Sequence, residues 1–133
     1  MFDKKEYNKN YKQSKKYKDG RKLYKQSEHG KRIVASVSKR YRDKRKLEVI
    51  QYYGGKCECC GEFNIKFLTI DHVKGGGNKH RKQLGVAGSS FYSWLIKNEY
   101  PKGFRVLCFQ CNCAIGIYGI CPHEEDSENF KKF

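Results

Sequence analysis

Apolar residues are sparse in the first third of the chain and change their spacing near residue 31. Before that point the large rings after Phe2 are Tyr7, Tyr11, Tyr17 and Tyr24, set among Lys, Asn, Gln, Ser and Asp. The tetrapeptide Tyr-Lys-Gln-Ser occurs at 11–14 and again at 24–27, and two copies are too few for a solenoid. Gly20 and Gly30 are expected to interrupt any helix here. Residues 1–32 therefore read as a basic Lys/Tyr-rich arm of frayed helical pieces, partly disordered, that order on a nucleic-acid backbone. From Ile33 the apolar spacing becomes helical, through Val34, Val37, Tyr41, Leu47 and Ile50, and Gly54-Gly55 closes the segment. The pattern predicts a basic helix over 33–53, either continuous or broken near 43. One face would pack on the domain that follows.

Residues 54–123 form the expected domain. Phe67-Leu68-Thr69-Ile70-Asp71-His72-Val73 is rich in β-branched and aromatic residues and predicts a short strand ending near the Asp-His pair. Gly75-Gly76-Gly77 opens a loop that stays polar and basic through Lys82. Ser89 or Ser90 is placed to cap a helix over about 90–99, with Phe91, Trp94 and Leu95 on its core face and Pro101 beyond its end. Phe104-Arg105-Val106-Leu107 predicts a second strand, and Asn112 to about Tyr118 a short helix. Residues 124–133, with Glu124, Glu125, Asp126 and Glu128, read as a loose acidic tail.

Composition narrows the function classes. The 133 residues carry 29 Lys and Arg against 14 Asp and Glu, a net charge of +15. Residues 1–50 hold 18 of those cations against six acids, so nearly all the excess lies in the first 50 positions. Such a segment suits a polyphosphate partner and predicts salt-sensitive binding. A membrane surface is the weaker candidate, because the arm has no apolar face to insert. No run approaches the roughly 20 apolar residues that cross a bilayer, and the Lys-rich start lacks the apolar stretch of a secretory signal. The expected location is the cytoplasm, of the host if the chain is phage-encoded. Mean hydropathy of −0.90 leaves a thin core, and a core of under roughly 80 residues usually needs a staple.

The cysteines supply a candidate. Cys57-x2-Cys60 and Cys108-x2-Cys111 are two knuckles with 47 residues between them. In a chain without a secretion signal, such spacing favours metal over disulfides. Two knuckles make a closed four-sulfur site that suits structural zinc, with no position left for water. Cys59, Cys113 and Cys121 fall outside the pattern and are expected to be buried or idle thiols, with Cys121-Pro122-His123 a secondary candidate for metal or packing.

Asp71-His72 stands between the knuckles and before the glycine run. A carboxylate can hold a hard divalent cation against a phosphodiester, and an imidazole of near-neutral pKa can take a proton from water. Taken together, Cys57-x2-Cys60, Ile70-Asp71-His72 and Val106-Leu107-Cys108-x2-Cys111-Asn112 resemble the HNH, or ββα-metal, nucleases. The resemblance is closest to small free-standing phage-type HNH endonucleases with a four-Cys zinc site. It extends to Gly75-Gly76-Gly77-Asn78-Lys79-His80-Arg81, Trp94-Leu95 and Pro101-Lys102-Gly103-Phe104-Arg105-Val106-Leu107-Cys108, and covers about residues 50–123.

This resemblance implies an α+β fold, a small ββα-metal domain behind a basic helical arm. It implies His72 as general base and Asp71 as a ligand of catalytic Mg²⁺ or Mn²⁺. The family's last His normally follows the second knuckle; Asn112 stands there and offers an amide oxygen to the same cation. The family's middle Asn has no counterpart in Gly103-Phe104-Arg105, which leaves His80 and Asn78 as candidates for the missing role. His80 would contact the scissile phosphate, the leaving oxygen or the metal. Arg81 would clamp phosphate. Lys79, Lys82, Arg40, Arg42, Lys44 and Arg45 would be electrostatic contacts.

The expected activity is metal-dependent endonucleolytic cleavage of double-stranded DNA by a monomer, with no membrane partner and no small-molecule cofactor. Charge and cysteines fit a non-catalytic zinc-stapled nucleic-acid-binding protein equally well, and structured RNA suits the arm too. Asp71, His72 and Asn112 discriminate, since a passive binder needs no acid–base pair.

Overall fold

The computed structural model describes residues 3–124. The chain falls into two compact units, Met1–Tyr41 and Arg42–Phe133. Phe2 and the acidic residues 125–133 lie outside the described residues; Glu124 of the expected tail is described, and its backbone N–H donates to the Cys121 carbonyl.

The first unit holds α1 (Lys4–Gln13), α2 (Lys15–Gln26) and the start of α3 (Glu28–Tyr52). Residues 4–26 contain no Val, Ile or Thr, so no β-branched side chain there loses χ1 freedom by turning helical. Asp3 caps α1, its carboxylate accepting from the backbone N–H groups of Lys5 and Glu6 at 2.8 and 3.3 Å. Gly20 lies inside α2 and Gly30 in the first turn of α3, so neither glycine breaks a helix as expected. A lone glycine costs a helix only about 1 kcal/mol, which its helix-forming neighbours offset. No residue of α1 or α2 is buried.

The repeated tetrapeptide is a joint used twice. Ser14 ends α1 and starts α2; its hydroxyl donates to the Tyr11 carbonyl at 2.7 Å and accepts from the Tyr17 N–H at 3.2 Å. Ser27 does the same between α2 and α3, donating to the Tyr24 carbonyl at 2.7 Å and accepting from the Gly30 N–H at 3.1 Å. Each serine thus closes one helix and caps the next. At the second joint the backbones come so close that a Cβ on Gly30 would lie 1.8 Å from the Tyr24 oxygen.

Helix α3 runs 25 residues and is continuous through 43. Only its end packs as expected. Val49 and Ile50 are fully buried, whereas Ile33, Val34, Val37 and Tyr41 are 43–56 % exposed and Leu47 is exposed too.

The second unit continues with β1 (Leu68–His72), α4 (Gly77–Leu84), α5 (Ser89–Lys97), β2 (Phe104–Cys108) and α6 (Phe109–Tyr118). The two strands pair antiparallel from Leu68↔Cys108 to His72↔Phe104, and α6 packs on both. The result is an α+β fold, mostly helical, with a two-stranded sheet and a cysteine cluster that could hold a metal. Helix α4 replaces the expected loop over 77–82: Gly75 and Gly76 turn the chain at positive φ, and the Lys, Arg, Gln and Leu that follow are good helix formers. Ser89 and Ser90 lie within α5 rather than capping it; Gly88 holds the cap position, without a side-chain bond. Helix α6 begins three residues earlier than expected, because the Cys108 sulfur accepts the Cys111 N–H at 3.4 Å and acts as its cap.

Leu68, Ile70, Phe91, Leu95, Val106 and Leu107 join Val49 and Ile50 in the core. Among the described residues, four of its twelve buried members are cysteines, Cys57, Cys108, Cys111 and Cys121, so cysteine supplies a third of them. Among the described residues, no helix is long and apolar enough to cross a membrane.

Candidate functional site

The four knuckle cysteines converge. The first knuckle is closed by hydrogen bonds from Cys57 N–H to the Glu62 carbonyl and from Gly61 N–H to the Cys57 carbonyl, at 2.7 and 3.0 Å. Glu58 N–H donates to the Val106 carbonyl at 2.9 Å and ties that knuckle to β2. The second knuckle is the β2–α6 junction itself. The ligand atoms of Cys57, Cys60, Cys108 and Cys111 all lie within 4.8 Å of one another, with Cys60 and Cys108 sulfurs 3.7 Å apart. A tetrahedral ion with bonds to sulfur of about 2.3 Å separates its sulfurs by about 3.8 Å, so these residues fit a metal such as zinc. Burial opposes ionisation of Cys57, but backbone hydrogen bonds at Cys60, Cys108 and Cys59 outweigh it and bring its pKa down to about 7. Burial drives the Cys111 thiol well above its usual range, so its proton stays on until a cation displaces it.

A second group adjoins the first. Cys59, Cys111, Cys121 and His123 also bring their ligand atoms within 4.8 Å of one another. The Cys121 and Cys111 sulfurs lie 3.3 and 3.5 Å from His123 Nδ1. Of the three cysteines outside the knuckle pattern, Cys121 is buried, Cys59 is half-buried and Cys113 is exposed, and the first two belong to this second group. The signal in the sequence was Cys121-Pro122-His123, which brings a sulfur and an imidazole within two residues.

At the far end of β1, His72 enters an aromatic nest. Its ring stacks on Phe91 at 5.5 Å and meets the edge of its cross-strand partner Phe104 at 4.7 Å. Its Nε2 contacts Nδ1 of His80 at 2.9 Å, and His80 in turn packs edge-on against Trp94 at 5.2 Å. Helix α4 delivers His80, and α5 delivers Phe91 and Trp94. Gly77 lies against the ring: a Cβ there would fall 2.7 Å from His72 Nδ1. Burial first, then electrostatic repulsion from His80 and Arg81, lowers the His72 pKa; Asp71 opposes them. The ring is therefore neutral at neutral pH and able to accept a proton.

Asp71 is half-buried beside His72 in sequence and faces Arg105, its partner across the sheet, whose Nε donates to Asp71 Oδ2 at 3.0 Å. Asn112 is half-buried on α6, next to Cys111. Among the described residues, no hydrogen bond joins Asn112 to Asp71 or His72, and Asp71 belongs to neither convergent group of metal-ligating side chains. The structure thus brings His72 and His80 together, and pairs Asp71 with Arg105.

The basic candidates divide. Arg81 donates from Nε to the Gly77 carbonyl at 3.3 Å and from Nη2 to Asn78 Oδ1 at 2.9 Å, so it buttresses the turn beside His72. Lys79, Lys82, Arg40, Arg42 and Lys44 are exposed, while the Arg45 guanidinium donates to the Ser93 hydroxyl. Within the first unit, Lys12, Tyr17, Lys18, Arg21, Lys22 and Lys25 line an open basic cleft of about 490 Å³. Sequence reasoning missed Gly77, Phe104 and Arg105 as neighbours of the site, because each acts through a close approach or a strand register that composition does not encode.

Searches against protein-family models, curated proteins and solved structures find no match to this chain.

Proposed function

We propose that this protein is a metal-dependent DNA endonuclease of the HNH, ββα-metal type, held together by structural zinc on Cys57, Cys60, Cys108 and Cys111. The observation that carries the reading is the contact between His72 Nε2 and His80 Nδ1 at the end of β1, in a β1–β2–α6 arrangement whose motif order resembles that family. With Nε2 engaged by His80, the proton of an attacking water enters His72 at Nδ1, on the side that Gly77 leaves clear of a Cβ. The water oxygen bonds to phosphorus as the bond to the leaving sugar oxygen breaks, and that oxygen takes its proton from solvent. His80 holds the tautomer and orientation of His72. A divalent cation such as Mg²⁺ or Mn²⁺ would supply charge neutralisation at the phosphate. Asp71 is the nearest carboxylate to His72 in sequence; its Oδ2 pairs with Arg105, and its other oxygen would be the one to meet the cation. The cationic cleft of the first unit and the exposed Lys and Arg of α3 and α4 suit the phosphate backbone.

A non-catalytic zinc-stapled nucleic-acid-binding protein is the second reading. The Asp71–Arg105 ion pair favours it, because it leaves the only acid of the sheet neutralised within the protein.

Supercoiled plasmid incubated with the full chain and Mg²⁺ or Mn²⁺ separates the two. The nuclease reading predicts relaxed or linear product that chelator abolishes. His72→Ala should lose cleavage while keeping zinc content and DNA affinity; undiminished cutting by that variant removes His72 from the mechanism. Binding without cutting by the wild type selects the passive reading.

A further inference from the structure

The cysteine cluster has more ligands than one ion can use. Cys57, Cys60, Cys108 and Cys111 are enough for a tetrahedral ion, yet Cys59, Cys121 and His123 converge on the same Cys111 sulfur. This is not an accident of chain proximity alone. Cys59 comes from the first knuckle, Cys111 from α6 and the Cys121–His123 pair from the segment after it, so three separate stretches direct donor atoms at one point.

The distances fit a second ion. Bonds to sulfur of about 2.3 Å and to imidazole nitrogen of about 2.0–2.1 Å place those donors about 3.6 Å apart around a tetrahedron. The structure has Cys111 Sγ and Cys121 Sγ at 3.5 and 3.3 Å from His123 Nδ1. Cys111 and Cys121 are both fully buried, and Cys59 is half-buried. A pair of buried thiols aimed at one imidazole nitrogen, with a third thiol alongside, is a soft donor set of the kind that selects zinc over hard cations.

We propose that the protein carries a two-zinc centre bridged by the Cys111 thiolate, with Cys57, Cys60 and Cys108 completing the first ion and Cys59, Cys121 and His123 the second. Seven donors, one of them shared, fill the eight positions of two tetrahedral ions. Six thiolates and two Zn²⁺ leave the centre two negative charges, less per ion than an isolated four-thiolate site. The second ion anchors the segment after α6 to the first knuckle and extends the sulfur-based core. It shares Cys111 with the first site and is independent of whether the protein cleaves DNA.

Native mass spectrometry of the full chain, saturated with Zn²⁺ and freed of excess, counts the ions directly. Two per chain is the expected result. Cys121→Ser and His123→Ala should each drop the count to one, whereas Cys113→Ser, which changes an exposed thiol outside both groups, should keep two. One ion in the wild type overturns the second site and leaves the first standing; no ion overturns both. A count of two that survives both Cys121→Ser and His123→Ala also overturns the assignment. Cobalt titration of the wild type tests the bridge without relying on variant folding. A thiolate-bridged Co²⁺ pair couples its spins, so the paramagnetic resonance signal per ion should fall as the second equivalent binds; two independent, additive signals would overturn the shared sulfur.

Discussion

At the scale of single residues, the site depends on how tightly the chain wraps His72. Gly77 is the sharpest case. Its φ is unexceptional, so an alanine would suit the first turn of α4, but its Cβ would fall 2.7 Å from Nδ1 and 3.2 Å from Cε1 of the His72 ring. The ring must then move, and displacements near 1 Å at a reacting group cost about 10²-fold in rate. Gly77→Ala should therefore lower plasmid cleavage by about that factor while leaving the melting temperature nearly unchanged; full activity would mean that Nδ1 is not the working nitrogen. The titration of the same ring gives a second check. Burial, with electrostatic repulsion from its His80 and Arg81 neighbours, holds its pKa below 6.5, so the unfolded chain binds this proton more readily and stability falls as pH drops through that range. The His72 C2 proton resonance should titrate below 6.5, and Arg81→Ala should raise the midpoint by removing a positive neighbour. A midpoint above 6.5 in the wild type would place the ring in a different environment. The Asp-His pair itself was legible from the sequence. The ring's surroundings were not, because Phe91 and Phe104 reach it from α5 and from across the sheet.

At the scale of elements, both strands were legible because Leu68, Ile70, Val106 and Leu107 combine β propensity with burial. The arm was not, because its helices have no apolar face. Without a buried stripe, periodicity is silent, and what makes α1 and α2 is propensity plus the two serine joints. The effect of a glycine in the arm depends on its placement as well as on its intrinsic helix cost. Gly20 faces open space inside α2, whereas Gly30 sits against the Tyr24 carbonyl. The same substitution should act in opposite directions at the two positions. Gly20→Ala should raise helical circular dichroism and stabilise α2 by about 0.5–1 kcal/mol. Gly30→Ala cannot keep the second joint, since its Cβ would overlap the Tyr24 oxygen at 1.8 Å. Spin labels on residues 18 and 36, within the first unit, should report a changed distance for Gly30→Ala and an unchanged one for Gly20→Ala. Equal distances in both variants would show that the joint is not fixed by the glycine.

At the scale of the whole molecule, the two units solve different problems. Arg42–Phe133 has too little hydrocarbon for its size and makes up the interior with sulfur. The knuckle spacing made this legible in outline, although it singled out four ligands where the structure gathers seven. Among the described residues of Met1–Tyr41, the first two helices bury nothing and hold their charges outward. If the arm is a phosphate-binding element, its contribution is electrostatic and separable from the chemistry. Residues 1–32 carry 12 of the 29 cations. Each phosphate they neutralise adds about 0.9 to the slope of log affinity against log salt. A chain lacking 1–32 should bind duplex DNA with a slope shallower by several such increments, and its affinity deficit should shrink as salt rises. Under saturating DNA, its cleavage rate should match that of the full chain, since His72 and His80 are untouched. Equal slopes with and without the arm would assign the cationic cleft to some other partner, and a lost saturated rate would mean that the arm takes part in the reaction as well as in binding.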